Sequence, residues 1–275
     1  MKALTFTKMS GAGNTFLIVD ARSGEVRSKL QRYIRDSRAD LAQELCEGSK
    51  GAQADGLIFL EESKSYDFRW DFYNSDGSHA EMCGNAARCV TRYFIDHGNE
   101  KKNKVVFESV AGEIEGVILS DGRVQVTMPE FKIENAQMQI SVGTYTENAF
   151  WVNTGVPHLV VEEKNGLRPE RLREKAKGMR FYPGLGPAGA NATFYHLING
   201  EGVEAITFER GVEDFTMACG TGAVAVAIAV QKGNFSKKEI KISVPGGDLY
   251  VSYDDKKNKP LLTGEAEYLC DIQFY

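Results

Sequence analysis

Two short segments of this 275-residue chain say nearly the same thing: Met82-Cys83-Gly84-Asn85-Ala86-Ala87 and Ala218-Cys219-Gly220-Thr221-Gly222-Ala223. Each is a Cys-Gly step followed by small residues that open an apolar, helix-like run. A single copy would be explained by packing, since small residues let a helix start close against a strand. Two copies whose cysteines lie 136 positions apart, near half the chain, point instead to a duplicated domain in which each half supplies one equivalent cysteine. The length suits two domains of roughly 100–150 residues, each with its own core. The expected division is 1–117, joined by a C-terminal strand over 264–275, and 118–263.

The bulk numbers exclude several classes of function. Hydrophobic residues at 42% and charged residues at 26% are those of an ordinary soluble protein. The net charge of −5, with 33 Lys and Arg scattered along the chain, leaves no nucleic-acid footprint. The N-terminus lacks the apolar core of a signal peptide, and no stretch reaches the ~20 apolar residues of a membrane span. A cytoplasmic protein with no nucleic-acid or membrane partner is expected. Its five cysteines are odd in number and lack CxxC spacing, so they read as thiols, with Cys46, Cys89 and Cys270 as small buried residues. His79, Cys83 and Cys89 match no zinc spacing, and no metal is expected. Residues 184–189 spell GxGxxG, but Pro187 sits inside and a strand-like run follows, so the segment is a loop and not a dinucleotide site.

Local patterns repeat one plan in each half: strands, then an apolar helix whose first turn holds the Cys-Gly. Residues 4–9 and 16–20 read as strands around a Gly-rich turn, and 29–46 as a polar helix. Phe68, Trp70 and Phe72 alternate with Arg69 and Asp71 as in a half-buried strand. The helix beginning near Cys83 puts Ala87, Val90, Phe94 and Ile95 on one face. In the second half, 192–199 and 204–210 read as strands and 219–231 as the matching helix.

A cysteine at a helix start sits among unsatisfied N–H groups and the positive end of the dipole, which favour a thiolate and can lower its pKa from about 8.5 toward neutrality. The following Gly admits a ligand, and the next N–H groups can cradle a carboxylate. Glu209 and Arg210 at a strand end read either as an exposed ion pair or as partners for an ammonium and a carboxylate. His158 is one of four histidines and follows a Gly-Val-Pro turn.

The set Gly11-Ala-Gly-Asn14, Asn74-Ser-Asp-Gly77, Met82-Cys83-Gly-Asn-Ala-Ala-Arg88, Pro157-His158, Gly189-Ala-Asn191, Glu209-Arg210-Gly211, Ala218-Cys219-Gly-Thr-Gly-Ala223, Pro245-Gly-Gly247 and Thr263-Gly-Glu-Ala266 resembles the diaminopimelate epimerases, nearly end to end and in order. The related proline racemases usually have His where this chain has Asn85. The resemblance implies an α/β (α+β) fold of two pseudo-symmetric domains, each a curved, mostly antiparallel sheet around a central helix, with the active site in the interdomain cleft. It implies cofactor-independent inversion at an amino-acid α-carbon, with Cys83 and Cys219 as the acid/base pair. By the same resemblance, the N–H groups around Gly84, Asn85, Gly220 and Thr221 bind the α-carboxylate. Asn14, Asn74, Asn191, Glu209 and Arg210 line the substrate site, and His158 and Glu209 support catalysis. Thr15 and Val156 depart from the family, which commonly has Asp and often Asn there.

The expected partner is a small amino acid, and a homodimer is an assembly the sequence admits. Alternatives are a racemase of another amino acid such as histidine, a Cys-His acyl-transfer enzyme pairing His158 with one cysteine, and a non-catalytic amino-acid-binding module. The acyl-transfer alternative leaves the second helix-start cysteine unexplained.

Overall fold

A strand buried on both faces reads as a continuous apolar run. Phe16-Leu-Ile-Val19 and Leu57-Ile-Phe-Leu60 are such runs, and every one of these side chains is buried. In the computed structural model, which describes residues 3–49, 51–98, 102–198, 202–233 and 239–274, helices cover both faces of the strands that carry them. The chain divides into two compact units, residues 1–126 with 265–275 and residues 127–264. The expected division at 117/118 falls at the end of a strand of the first unit.

The first unit contains β1 (Leu4–Gly11), β2 (Asn14–Asp20), α1 (Gly24–Tyr33), α2 (Arg38–Cys46), β3 (Gly56–Glu61), β4 (Phe68–Asn74), α3 (Gly84–Asp96), β5 (Lys104–Ser109), β6 (Gly112–Ile118) and β7 (Val124–Thr127). The second contains β8 (Lys132–Val142), β9 (Tyr145–Asn153), β10 (Pro157–Glu162), α4 (Pro169–Arg180), β11 (Asn191–Ile198), β12 (Gly202–Phe208), α5 (Gly220–Val230), β13 (Ile240–Val244), β14 (Gly247–Asp254) and β15 (Lys259–Gly264). The chain then returns to the first unit as β16 (Glu267–Phe274), antiparallel to β1.

Strand order is β16-β1-β2-β3-β4-β5-β6-β7 in the first unit and β8-β9-β10-β11-β12-β13-β14-β15 in the second. In each, the third and fifth pairings are matched: β2/β3 and β10/β11 are parallel, as are β4/β5 and β12/β13, and the remaining pairs described are antiparallel. A parallel pair needs a crossover. The first crossover of each unit runs over one sheet face (α1 and α2, or α4), and the second supplies the central helix (α3 or α5). The two units are thus one topology used twice, as the duplicated motif requires.

Side-chain alternation decides which helix each strand residue meets. Leu17, Val19, Leu57 and Phe59 pack with Leu30 of α1 and Leu41, Ala42 and Leu45 of α2. Leu159, Val161, Ala192, Phe194, Ile206 and Phe208 pack with Leu172, Ala176 and Met179 of α4. Their neighbours in sequence face the central helices. α5 is apolar all round and buried along nearly its whole length, as a helix lined by strands β9 through β15 must be. α3 lies so close to β6 that a Cβ on Gly116 would overlap the side chain of Thr91.

Two elements differ from the sequence expectation. Residues 29–46 are not one helix: α1 ends at Tyr33, and α2 starts afresh where the Ser37 hydroxyl accepts the Asp40 N–H at 3.1 Å. Cys270 is not buried, because β16 is an edge strand whose residues 267–271 are exposed. Among the described residues no helix is long and apolar enough to cross a membrane.

Candidate active site

In the second unit the α5-facing positions of three adjacent strands are polar: His158 on β10, Asn191 and Thr193 on β11, and Thr207 on β12. All four are buried. Cys219 is the N-cap of α5, and its side chain makes no capping bond. The Arg210 backbone N–H donates to Asn191 Oδ1 at 2.7 Å. That bond fixes the amide, so its Nδ2 is the atom 3.3 Å from His158 Nε2. An amide nitrogen only donates, so Nε2 carries the lone pair and Nδ1 the hydrogen, which goes to Thr193 Oγ1 at 2.8 Å. Thr221, whose Oγ1 is 3.0 Å from Nε2, then donates to it, leaving its oxygen to accept the Cys219 thiol hydrogen at 3.4 Å.

Burial, and then the Arg210 charge, drive His158 down to about 3, so the imidazole is neutral at pH 7. Thr154, also buried, donates to the Thr221 carbonyl at 3.0 Å and ties the turn before His158 to the same helix start. Glu209 follows β12 and accepts from Thr216 Oγ1 at 2.5 Å. Arg210 is exposed, and among the described residues no acid pairs with its guanidinium. The ion-pair alternative for Glu209 and Arg210 is therefore not what the structure contains.

The first unit has the same frame with different side chains. Cys83 is the half-buried N-cap of α3, again without a side-chain capping bond. Asn85 is buried and donates from Nδ2 to Asn14 Oδ1 at 3.0 Å, joining the helix start to the first residue of β2. Asn74 ends β4 and donates from Nδ2 to Ser78 Oγ at 2.9 Å. The ladders give the equivalences: Phe16 opens β2/β3 opposite Gly56, where His158 opens β10/β11 opposite Asn191. Cys83 lies nine residues after Asn74, and Cys219 ten after Glu209. The first turns of α3 and α5 offer N–H groups to an anion in both units.

The chain matches the family described as diaminopimelate epimerase over residues 6–133 and 150–269. It is 34% identical over 273 residues to the diaminopimelate epimerase of Aquifex aeolicus, covering 96% of this chain and 95% of that one. This chain belongs to the diaminopimelate epimerase family. A second member, from Flavobacterium psychrophilum, is 36% identical over 269 residues, covering 96% of this chain and 97% of that one. The fold is shared more widely. A hydroxyproline epimerase from Agrobacterium vitis superposes with a TM-score of 0.71 at 16% identity, covering 99% and 92% of the two chains. A phenazine biosynthesis protein of the PhzF family from Bacillus anthracis gives 0.70 at 14% identity, covering 100% of each.

Among the described residues no three His, Cys, Asp or Glu side chains gather as a metal-binding set. Cys46 and Cys89 are buried, and burial pushes both thiols up to about 12. Thr154 in a turn and Thr193 and Thr207 on strands carried no signal in the sequence, since a threonine is unremarkable until its hydroxyl joins the network around a buried histidine. Arg88 stands inside the Cys83 motif, and nothing in the sequence marks it as buried.

Proposed function

We propose that this chain interconverts LL- and meso-2,6-diaminopimelate in the cytoplasm, an isomerisation serving lysine and peptidoglycan precursor synthesis, by two-base proton transfer at the α-carbon. One observation carries the reading: Cys83 and Cys219 hold the same N-cap position in two units of identical topology. Inversion needs a base on one face of the carbon and an acid on the other, and two equivalent thiols meet that demand. A thiolate removes the α-proton while the other thiol delivers one, and the roles exchange in the reverse direction. An α-carboxylate resists the added charge of a carbanion. N–H groups at Gly84, Asn85, Gly220 and Thr221 supply preorganised donors against that charge. Asn14, Asn74 and Arg210 contact the substrate, Asn191 holds Arg210 and His158, and His158 and Glu209 support the second thiol.

The test is isotopic. In D₂O, a single epimer turned over briefly should give product deuterated at the inverted centre while unreacted starting material stays protiated, since the base returns its proton only to the face it came from. Product that keeps protium, or starting material labelled without inversion, would remove the two-thiol assignment. A panel of amino acids with one stereocentre, run beside diaminopimelate, decides against the racemase alternative.

A further inference from the structure

Arg88 lies in the second turn of α3, five residues beyond Cys83, and is wholly buried. Helical side chains lean toward the N-terminus, and this guanidinium does so: Nη1 donates to the Gly84 carbonyl at 3.3 Å and Nε to the Glu265 carbonyl at 3.2 Å. Nη2 has no hydrogen-bond partner among the described residues. A buried cation without an anion is costly, and a helix N-terminus, already positive, is the worst place for one. The arrangement calls for a negative charge beside it.

Few groups can supply that charge. The titratable groups beside Arg88 are Cys89, its neighbour in sequence, and Cys83, which immediately precedes the Gly84 whose carbonyl Nη1 holds. Cys89 is sealed in the core with its thiol pushed up to about 12, so it stays protonated. Arg92, the next cation on α3, pairs with Asp96 at 3.8 Å, and β1, β2, β5 and β6, which pack on α3, bring no carboxylate to Arg88 among the described residues. Glu265 offers its backbone carbonyl while its side chain is exposed. A substrate carboxylate cannot touch a side chain with no accessible surface. Cys83 remains. The matching position of α5 is Val224, and there the thiol has an acceptor instead, Thr221 Oγ1, backed by neutral His158.

We infer that the buried Arg88 guanidinium is the counter-ion of a resting Cys83 thiolate, so that the substrate-free protein carries the exchangeable thiol proton on Cys219. Arg88 is a positioning residue: it acts through Cys83 and never meets substrate. From rest, Cys83 takes the α-proton of one epimer and Cys219 gives up its own. The turnover ends with the charge on Cys219 and the proton on Cys83, the form that accepts the other epimer.

The inference rests on the two-thiol reading, but its test needs no turnover. Reduced, substrate-free protein is alkylated with iodoacetamide across pH, and the rate at each cysteine is read by peptide mass spectrometry, with exposed Cys270 as a reference for the reagent. Midpoints report ionisation, whereas accessibility changes only the plateau. Cys83 should titrate about one pH unit or more below Cys219. Arg88→Met should raise the Cys83 midpoint by about one unit or more, roughly a tenfold loss of thiolate on the acid limb, and leave Cys219 in place, while Arg88→Lys keeps most of the depression. Coincident or reversed midpoints in the parent protein overturn the inference, as does an Arg88→Met variant that folds with the Cys83 midpoint unmoved. If Arg88→Met does not fold, the parent ordering and Arg88→Lys still decide. A chain with ordered thiols but no epimerase activity would defeat the proposed function alone.

Discussion

At the scale of single residues, the site depends on side chains left out of ordinary structural duty. An N-cap residue normally spends its side chain on the helix's first N–H groups, yet neither Cys83 nor Cys219 does so. Replacing either by Ala should lower epimerisation by at least about 100-fold, the scale of a lost general acid or base, while Cys89→Ala, in the core of the same helix, should retain most of it. Steady-state rates from each epimer check this, and near-normal turnover by Cys83→Ala or Cys219→Ala would contradict it. The cysteines were legible because the motif occurs twice. His158 was visible only as a lone histidine after a turn. What makes it useful, a tautomer fixed by the Asn191 amide and a hydroxyl relay through Thr221 to Cys219, depends on residues arriving from separate elements. Arg88 was illegible for a different reason: arginine is a common helix residue, and only its burial sets it apart.

At the scale of elements, hydrophobic pattern predicted what is buried and failed where nothing is. β4 shows the expected alternation, and α5 is the apolar helix its sequence spells. β8 is eleven residues long, but it edges the sheet with only Ile140 fully buried, so its alternation is confined to Met138, Ile140 and Val142 at its end and the rest of the strand is silent. α4, though polar, docks through Leu172, Ala176 and Met179 and buries a cation beside them: the Lys175 side chain is 5% exposed and lies 2.5 Å from both Glu147 of β9 and Glu163, just after β10. Removing one member of a buried ionic cluster leaves uncompensated charge, here two carboxylates facing each other. Lys175→Met should therefore destabilise the protein by about 2–4 kcal/mol in urea unfolding, while the rate per folded molecule stays unchanged because α4 lies on the sheet face away from His158. A loss below about 0.5 kcal/mol would make the cluster an ordinary surface network.

At the scale of the whole molecule, one topology is decorated twice with opposite chemistry. The first unit has Phe16, Gly56 and Asn74 on its strands and a buried cation in its helix; the second has His158 and Asn191 on its strands, Glu209 just after one, and an apolar helix. That asymmetry has a thermodynamic signature. His158 in the folded chain is held down to about 3, against 6.5 for an ordinary histidine. Between those values the unfolded chain binds a proton that the folded chain refuses, so stability is unaffected above about pH 6.5 and is lost as pH falls below it. One group of this kind contributes a slope of up to about 1.4 kcal/mol per pH unit. Urea unfolding of the parent protein and of His158→Gln at several values between about pH 7 and 4 isolates it, because the carboxylates and the three other histidines titrate alike in both. The parent should be the more stable at neutral pH, and the gap should close steadily toward pH 4. Parallel curves would mean that His158 is protonated as easily in the fold as out of it, and the neutral imidazole behind Thr221 would have to be abandoned.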